Sequence, residues 1–288
     1  MGPWKQHIRI AILAAAAALA AAFGSLFLAS GTRKPEPAEP PLAAKPVTTT
    51  PVTAEPAAAP KAPAEAIDPQ KRAALNDRLA EAPEYVAFLT RLRALYPADY
   101  DAATKTALAQ EVETRDDAAD LFVSLAVQTL RRNRGLLGAK AGGAALDQLF
   151  DAHEKVLKQL AASDPALCVD FLNGAPADRF AAFAGAHRAL MAEEAVAGLA
   201  AIDDGARKKI DREAPASADF DDLEKLMLAK GVDKAGASLL LDGKTPDPPL
   251  SDARQCQNGV TYLDAMKALP DVQRYRLYAL ALEVMAHE

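Results

Sequence analysis

AALDQLFDAHEKVLKQLAA, residues 144–162, decides the fold class. Leu146, Phe150, His153 and Leu157 recur at steps of four, three and four, the spacing that stacks side chains on one helix face. The same period runs through Val86, Leu89, Leu92 and Leu95, and through Leu121, Leu125 and Leu130. No stretch alternates at the period of a strand. Ala, Leu, Glu, Lys and Arg dominate, and these side chains lose little freedom in a helix. The spacing therefore predicts an all-α fold.

Working outward, Asp68-Pro69 opens the helical region, with Asp as N-cap and Pro at the first helical position. About eight to ten helices follow, punctuated by Gly, Pro, Asp and Ser. Gly135, Gly138, Gly142 and Gly143 mark a break after a helix over 116–134. Asp164-Pro165 starts a short helix that Asn173-Gly174 stops, and one long helix is expected over 177–203. Short connections predict that neighbouring helices pack antiparallel. Residues 243–249 read as a hinge before a last helical hairpin over 251–286. Residues 68–288 are thus expected to form one multi-helix domain. Three similar fragments, Pro97-Ala98-Asp99-Tyr100, Pro176-Ala177-Asp178 and Ser217-Ala218-Asp219-Phe220, are irregularly spaced and read as helix starts rather than repeats.

Upstream the composition changes. Residues 10–30, IAILAAAAALAAAFGSLFLAS, carry no charge. As a helix they span about 30 Å, the thickness of a bilayer's hydrocarbon core. After the short flank 1–9, this run reads as a single transmembrane anchor, longer than the core of a cleaved signal peptide. Cleavage near Ala29-Ser30-Gly31, giving a secreted periplasmic protein, is the competing reading. Lys5 and Arg9 before the span nearly balance Arg33 and Lys34 after it. The short flank makes a cytoplasmic N-terminus the simpler topology. The alanine-rich composition resembles that of proteins from GC-rich bacteria, so the expected location is the inner membrane with the domain in the periplasm. Residues 31–67 are Pro, Ala, Thr, Glu and Lys with little to bury, which predicts a disordered linker reaching up to about 100 Å.

Net charge is −6 with both signs interspersed, which argues against a nucleic-acid partner. Cys168 and Cys256 both lie on apolar helical faces. They read either as two buried thiols or as a disulfide, the latter in an oxidising compartment. Tyr262, Tyr275 and Tyr278 form the densest aromatic patch, read as core packing or as a partner-binding groove.

No catalytic, metal or cofactor motif is complete. His153-Glu154 begins HExxH, but Leu157 stands where the second histidine is required. His153 and His187 read as ordinary helix residues. The pairs Glu193-Glu194, Asp203-Asp204 and Asp221-Asp222 read as solvated faces and caps, since adjacent helical residues point apart. The expected role is non-enzymatic: a tethered domain that binds or positions a protein partner in the cell envelope. A cell-wall-acting enzyme with unidentified carboxylates is the alternative. The layout of anchor, tether and helical domain also resembles membrane-anchored lipase-specific chaperones, which implies a steric-chaperone role. Their Arg-x-x-Phe-Asp-Tyr signature has no match here.

Overall fold

The structure, a computed structural model, describes residues 67–173 and 178–287. The expected flank, anchor and all of the linker but Ile67 lie outside the described residues. Within them, no helix is long and apolar enough to cross a membrane.

The described residues form twelve α-helices, two 3-10 turns and no strand. The helices are α1 (Pro69–Ala80), α2 (Val86–Leu95), α3 (Pro97–Ala109), α4 (Ala118–Gly138), α5 (Gly143–Ser163) and α6 (Pro165–Leu172). They continue as α7 (Asp178–Ala186), α8 (Arg188–Lys208), α9 (Ser217–Ala229), α10 (Lys234–Asp242), α11 (Asp252–Lys267) and α12 (Asp271–His287). Helix starts follow their capping chemistry. Asp68, Asp164 and Asp233 accept from the backbone N–H of Gln70 (2.8 Å), Leu167 (3.0 Å) and Gly236 (2.7 Å).

Two boundaries differ from the pattern. Gly135 does not stop α4, which runs on to Gly138. A Cβ at Gly135 would sit 2.8 Å from the Cβ of Ala286, so glycine there permits close approach of α12. The long helix expected over 177–203 is two helices. His187, with φ −128°, turns the chain between α7 and α8, and its ring lies 4.6 Å from that of Phe183.

The framework is a square of four long helices. Going round it, α4 packs on α8, α8 on α5, α5 on α12, and α12 on α4. Helices α4 and α5, joined by residues 139–142 alone, stand on opposite corners. The expectation of antiparallel neighbours is only half met. Asp120 bonds Arg188 at one end while Gly138 meets Ile202 at the other, so α4 and α8 run parallel. Likewise α5 and α12 run parallel, since Asp147 bonds Tyr275 and Phe150 stacks on Tyr278. Helix α5 itself returns the chain to the end where α4 began, as the Gly142–Asp204 and His153–Glu194 contacts show, so α8 starts there and repeats the direction of α4. Helices α1 to α3 flank the α4/α8 side, and α6, α9, α10 and α11 cover the α5 side.

The diagonal connection is clamped. Arg212 donates to the carbonyls of Ala139 (2.8 Å) and Ala141 (2.5 Å). Asp204 Oδ2 accepts from the Gly142 N–H at 2.7 Å. At Gly205 a Cβ would overlap the Leu137 carbonyl, so α8 touches the end of α4 backbone to backbone.

Candidate functional site

The three glycines that face the bundle axis shape what lies there. A Cβ on Gly198 would meet nothing nearer than Leu149 Cδ1 at 3.9 Å, and one on Gly138 nothing nearer than 3.7 Å. With no side chains at these positions, a cavity of about 70 Å³ remains between α4, α5, α8 and α12. Its third glycine, Gly135, lies where α12 comes close. Leu130, Leu149, Phe150, Leu199, Ile202 and Leu282 supply most of its apolar wall. Among the described residues, Arg131 and His153 are the polar ones that line it.

His153 is fixed from behind. Its Nδ1 lies 2.8 Å from Glu194 Oε1, and the two side chains are 8% and 0% exposed. Its ring packs on Phe171 at 5.4 Å with planes 23° apart. A carboxylate on one imidazole nitrogen fixes the ring's orientation and leaves Nε2 as its remaining polar atom. Glu194 Oε2 has no hydrogen-bond partner among the described residues. Full burial of a carboxylate with one bond is costly in a packed core, and such a group calls for a reason.

His153 and Glu154 are adjacent but serve different places. Glu154 turns to Lys158 and to Lys267, the latter at 3.9 Å. Burial raises the Glu154 carboxyl, against the pull of Lys158 and with Asp264 adding to the rise. Among the described residues no group of three or more His, Cys, Asp or Glu could hold a metal ion.

The other singled-out residues fall as follows. Tyr262 and Tyr278 are core residues, 4% and 2% exposed, because α11 and α12 turn their aromatic faces inward. Neither is on a surface where a partner could reach it. Tyr275 alone is half-buried, donating to Asp147 at 2.8 Å. Burial pushes the Tyr262 and Tyr278 phenols well above their ordinary range. Cys168 on α6 and Cys256 on α11 form a disulfide, with Cα atoms 5.7 Å apart.

The acidic pairs split. Glu193 is exposed and paired with Lys155, while Glu194 is buried with His153. Asp203 pairs with Arg91 and Arg207. Burial works to raise the Asp204 carboxyl, but the Gly142 N–H, Lys208 and Arg207 together hold it below the usual range. Asp222 faces Lys225 and Gln273, whose bonds lower it. Glu194 and Asp204 thus correct the reading of all six as solvated. The sequence did carry a signal for Glu194. It stands three residues after Met191 and seven before Ala201, both buried, at the spacing of one helix face.

A second depression, about 440 Å³, lies on the surface between α1 and α2, beside Val86, Leu89 and Arg93. It is an open groove rather than an enclosed seat, and Arg93 lies over the Tyr100 ring there at 4.5 Å. No family model, curated protein or solved structure matches the chain.

Proposed function

We propose that the protein is a non-enzymatic binding domain, tethered outside the cytoplasm to a bacterial inner membrane, that seats a small apolar ligand on its bundle axis. The carrying observation is the cavity itself. It lies between four helices, is walled by apolar side chains, and has one oriented imidazole in its lining. Cavities of this make-up, apolar with a few placed polar groups, are how proteins hold small molecules.

Three further features support the reading. The Cys168–Cys256 bond suits an oxidising compartment. The uncharged run 10–30 and the proline-rich stretch after it suit an anchor and a spacer. Among the described residues no hydroxyl or thiol lines the cavity, so none of them is a nucleophile that the oriented His153 could activate there. That favours binding over hydrolysis. Asp204 and Asp222 are engaged in the loop clamp and in surface pairs, which gives a carboxylate-based cell-wall enzyme little support.

The test uses the full chain in lipid nanodiscs with isotope-labelled methionine methyls. Met285 lines the cavity and reports on its contents. Xenon, small enough for a space of about 70 Å³, should shift the Met285 methyl resonance in a saturable way, and Gly198→Leu, which fills the cavity, should abolish the shift. An unmoved Met285 in the wild type would sink the reading.

A further inference from the structure

We infer that the groove between α1 and α2 is a docking site for this chain's own linker, with Val52 on the groove's apolar floor and Glu55 on Arg93. The segment Val52-Thr53-Ala54-Glu55-Pro56 lies outside the described residues. The inference uses the reading of residues 31–67 as a linker and does not depend on the axial seat.

The groove continues into a depression of about 250 Å³ that shares Asn76, Arg93 and Tyr100 with it and runs on to Arg72. Together they make one trough along α1. Near the turn that joins the helices, Leu79, Val86 and Leu89 form an apolar floor. Val86 is 53% exposed, so an aliphatic side chain there faces water. Arg93 stands midway. Its Nη2 donates to Tyr100 Oη at 2.6 Å, and no carboxylate among the described residues pairs with it. Arg72, by contrast, has Asp101 at 3.0 Å. The trough thus offers an apolar patch and a cation without an anion. A matching ligand brings an aliphatic side chain and a carboxylate.

Spacing and direction select the segment. Val86 and Arg93 are seven residues apart on α2, about 10.5 Å along the helix. In an extended proline-type helix, residues three apart share a face and lie about 9.3 Å apart. Ile67 packs on the core just before α1, so the linker's last residue is held at the Arg72 end. A linker laid back along α1 meets Arg93 first and Val86 after it. The acid must therefore come later in sequence than the aliphatic residue. Val52 and Glu55 have that spacing in that order, whereas Glu39 and Leu42 have the order reversed. Twelve residues from Glu55 to Ile67 reach up to about 37 Å, against about 12 Å along α1 from Asp68 to Asn76. The excess leaves room for the chain to turn. A short link gives an effective concentration of millimolar order, so a weak contact is well populated. Docking leaves residues 31–51 as spacer and cuts its reach from about 100 Å to about 65 Å.

The test uses the full chain in nanodiscs with isotope-labelled valine and leucine methyls. Cys168 and Cys256 are bonded to each other, so a spin label on Thr53→Cys sits on the linker alone. It should broaden the Val86 and Leu89 methyls well beyond those of Leu136 and Val272, which are exposed on α4 and α12. Glu55→Arg and Arg93→Glu should each weaken docking about tenfold or more, the scale of a hydrogen bond to a charged group. The two reversals combined should restore it, which separates a lost contact from a damaged fold. Equal broadening at all four methyls would overturn the proposal, and that comparison needs neither charge reversal. Broadening indifferent to both reversals would overturn it too. Broadening of an isotope-labelled chain by a separate spin-labelled one would place the linker on a second copy and end the intramolecular seat.

Discussion

At the scale of single residues, a few close approaches and buried charges hold the bundle in register. Gly205 is the clearest. Its hydrogen lies against the Leu137 carbonyl, and a methyl there would force α4 and α8 apart. Gly205→Ala should cost about 3 kcal/mol, read as a lower urea midpoint. Gly198→Ala, with nothing within 3.9 Å, should cost little by comparison. Asp204 gives a pH test. Its folded carboxyl is held below the usual value, so its contribution is present at neutral pH and fades as pH falls through that lowered value. Asp204→Asn should lower stability at neutral pH by about 1–2 kcal/mol and flatten the acid limb of the stability profile. The buried tyrosines act at the other end. Tyr85 is raised by burial first and by its bond to Asp120 second, and Tyr262 and Tyr278 by burial. The unfolded chain releases these phenol protons near pH ~10 while the folded chain keeps them. Stability should therefore be undiminished below that pH and fall above it. Tyrosinate absorbance from these three should rise together with loss of helical circular dichroism, not before it.

At the scale of elements, the disulfide joins α6 to α11 across 88 residues of chain. Closing a loop of that length restricts the unfolded state by about 4–5 kcal/mol in the chain-entropy account. Adding a reductant should lower the unfolding free energy by that order, and Cys168→Ala/Cys256→Ala should match the reduced protein within about 1 kcal/mol. A reductant that left the unfolding curve in place would show that the bond does not form in solution. The helices themselves were legible in the residues. Leu146, Phe150 and Leu157 mark the buried face of α5, and Asp68, Asp164 and Ser251 mark starts where the chain does turn into helix. Gly135 misled because a glycine in a helix has two readings. It can end the helix, or it can admit a neighbour, and only the presence of Ala286 on α12 distinguishes them. The break at His187 carries no proline or glycine at the turn itself, so the period alone could not show it.

At the scale of the whole molecule, the parallel pairs and the axial cavity come from how the helices are arranged, not from any one of them. The proposed tether and anchor make a prediction at this scale too. A reporter that is active only outside the cytoplasm, fused after Glu288, should be active, and its cytoplasmic counterpart inactive. The reverse pattern would place the domain inside and remove the setting proposed for the disulfide. The sequence by itself determined that the domain is all helical, where most helices begin, that 10–30 is apolar enough to span a bilayer, and that no metal or cofactor motif is complete. These follow from local rules: side-chain period, capping and composition act within a few residues of each other. Only the tertiary structure decided that α4 and α5 stand on opposite corners, that Tyr262 and Tyr278 face inward, and that Glu194 leaves its neighbour Glu193 to meet His153 across 41 positions of chain. The reason is physical. Which face of a helix is buried depends on the partner that covers it, and a cavity exists only where glycines from different helices face one axis.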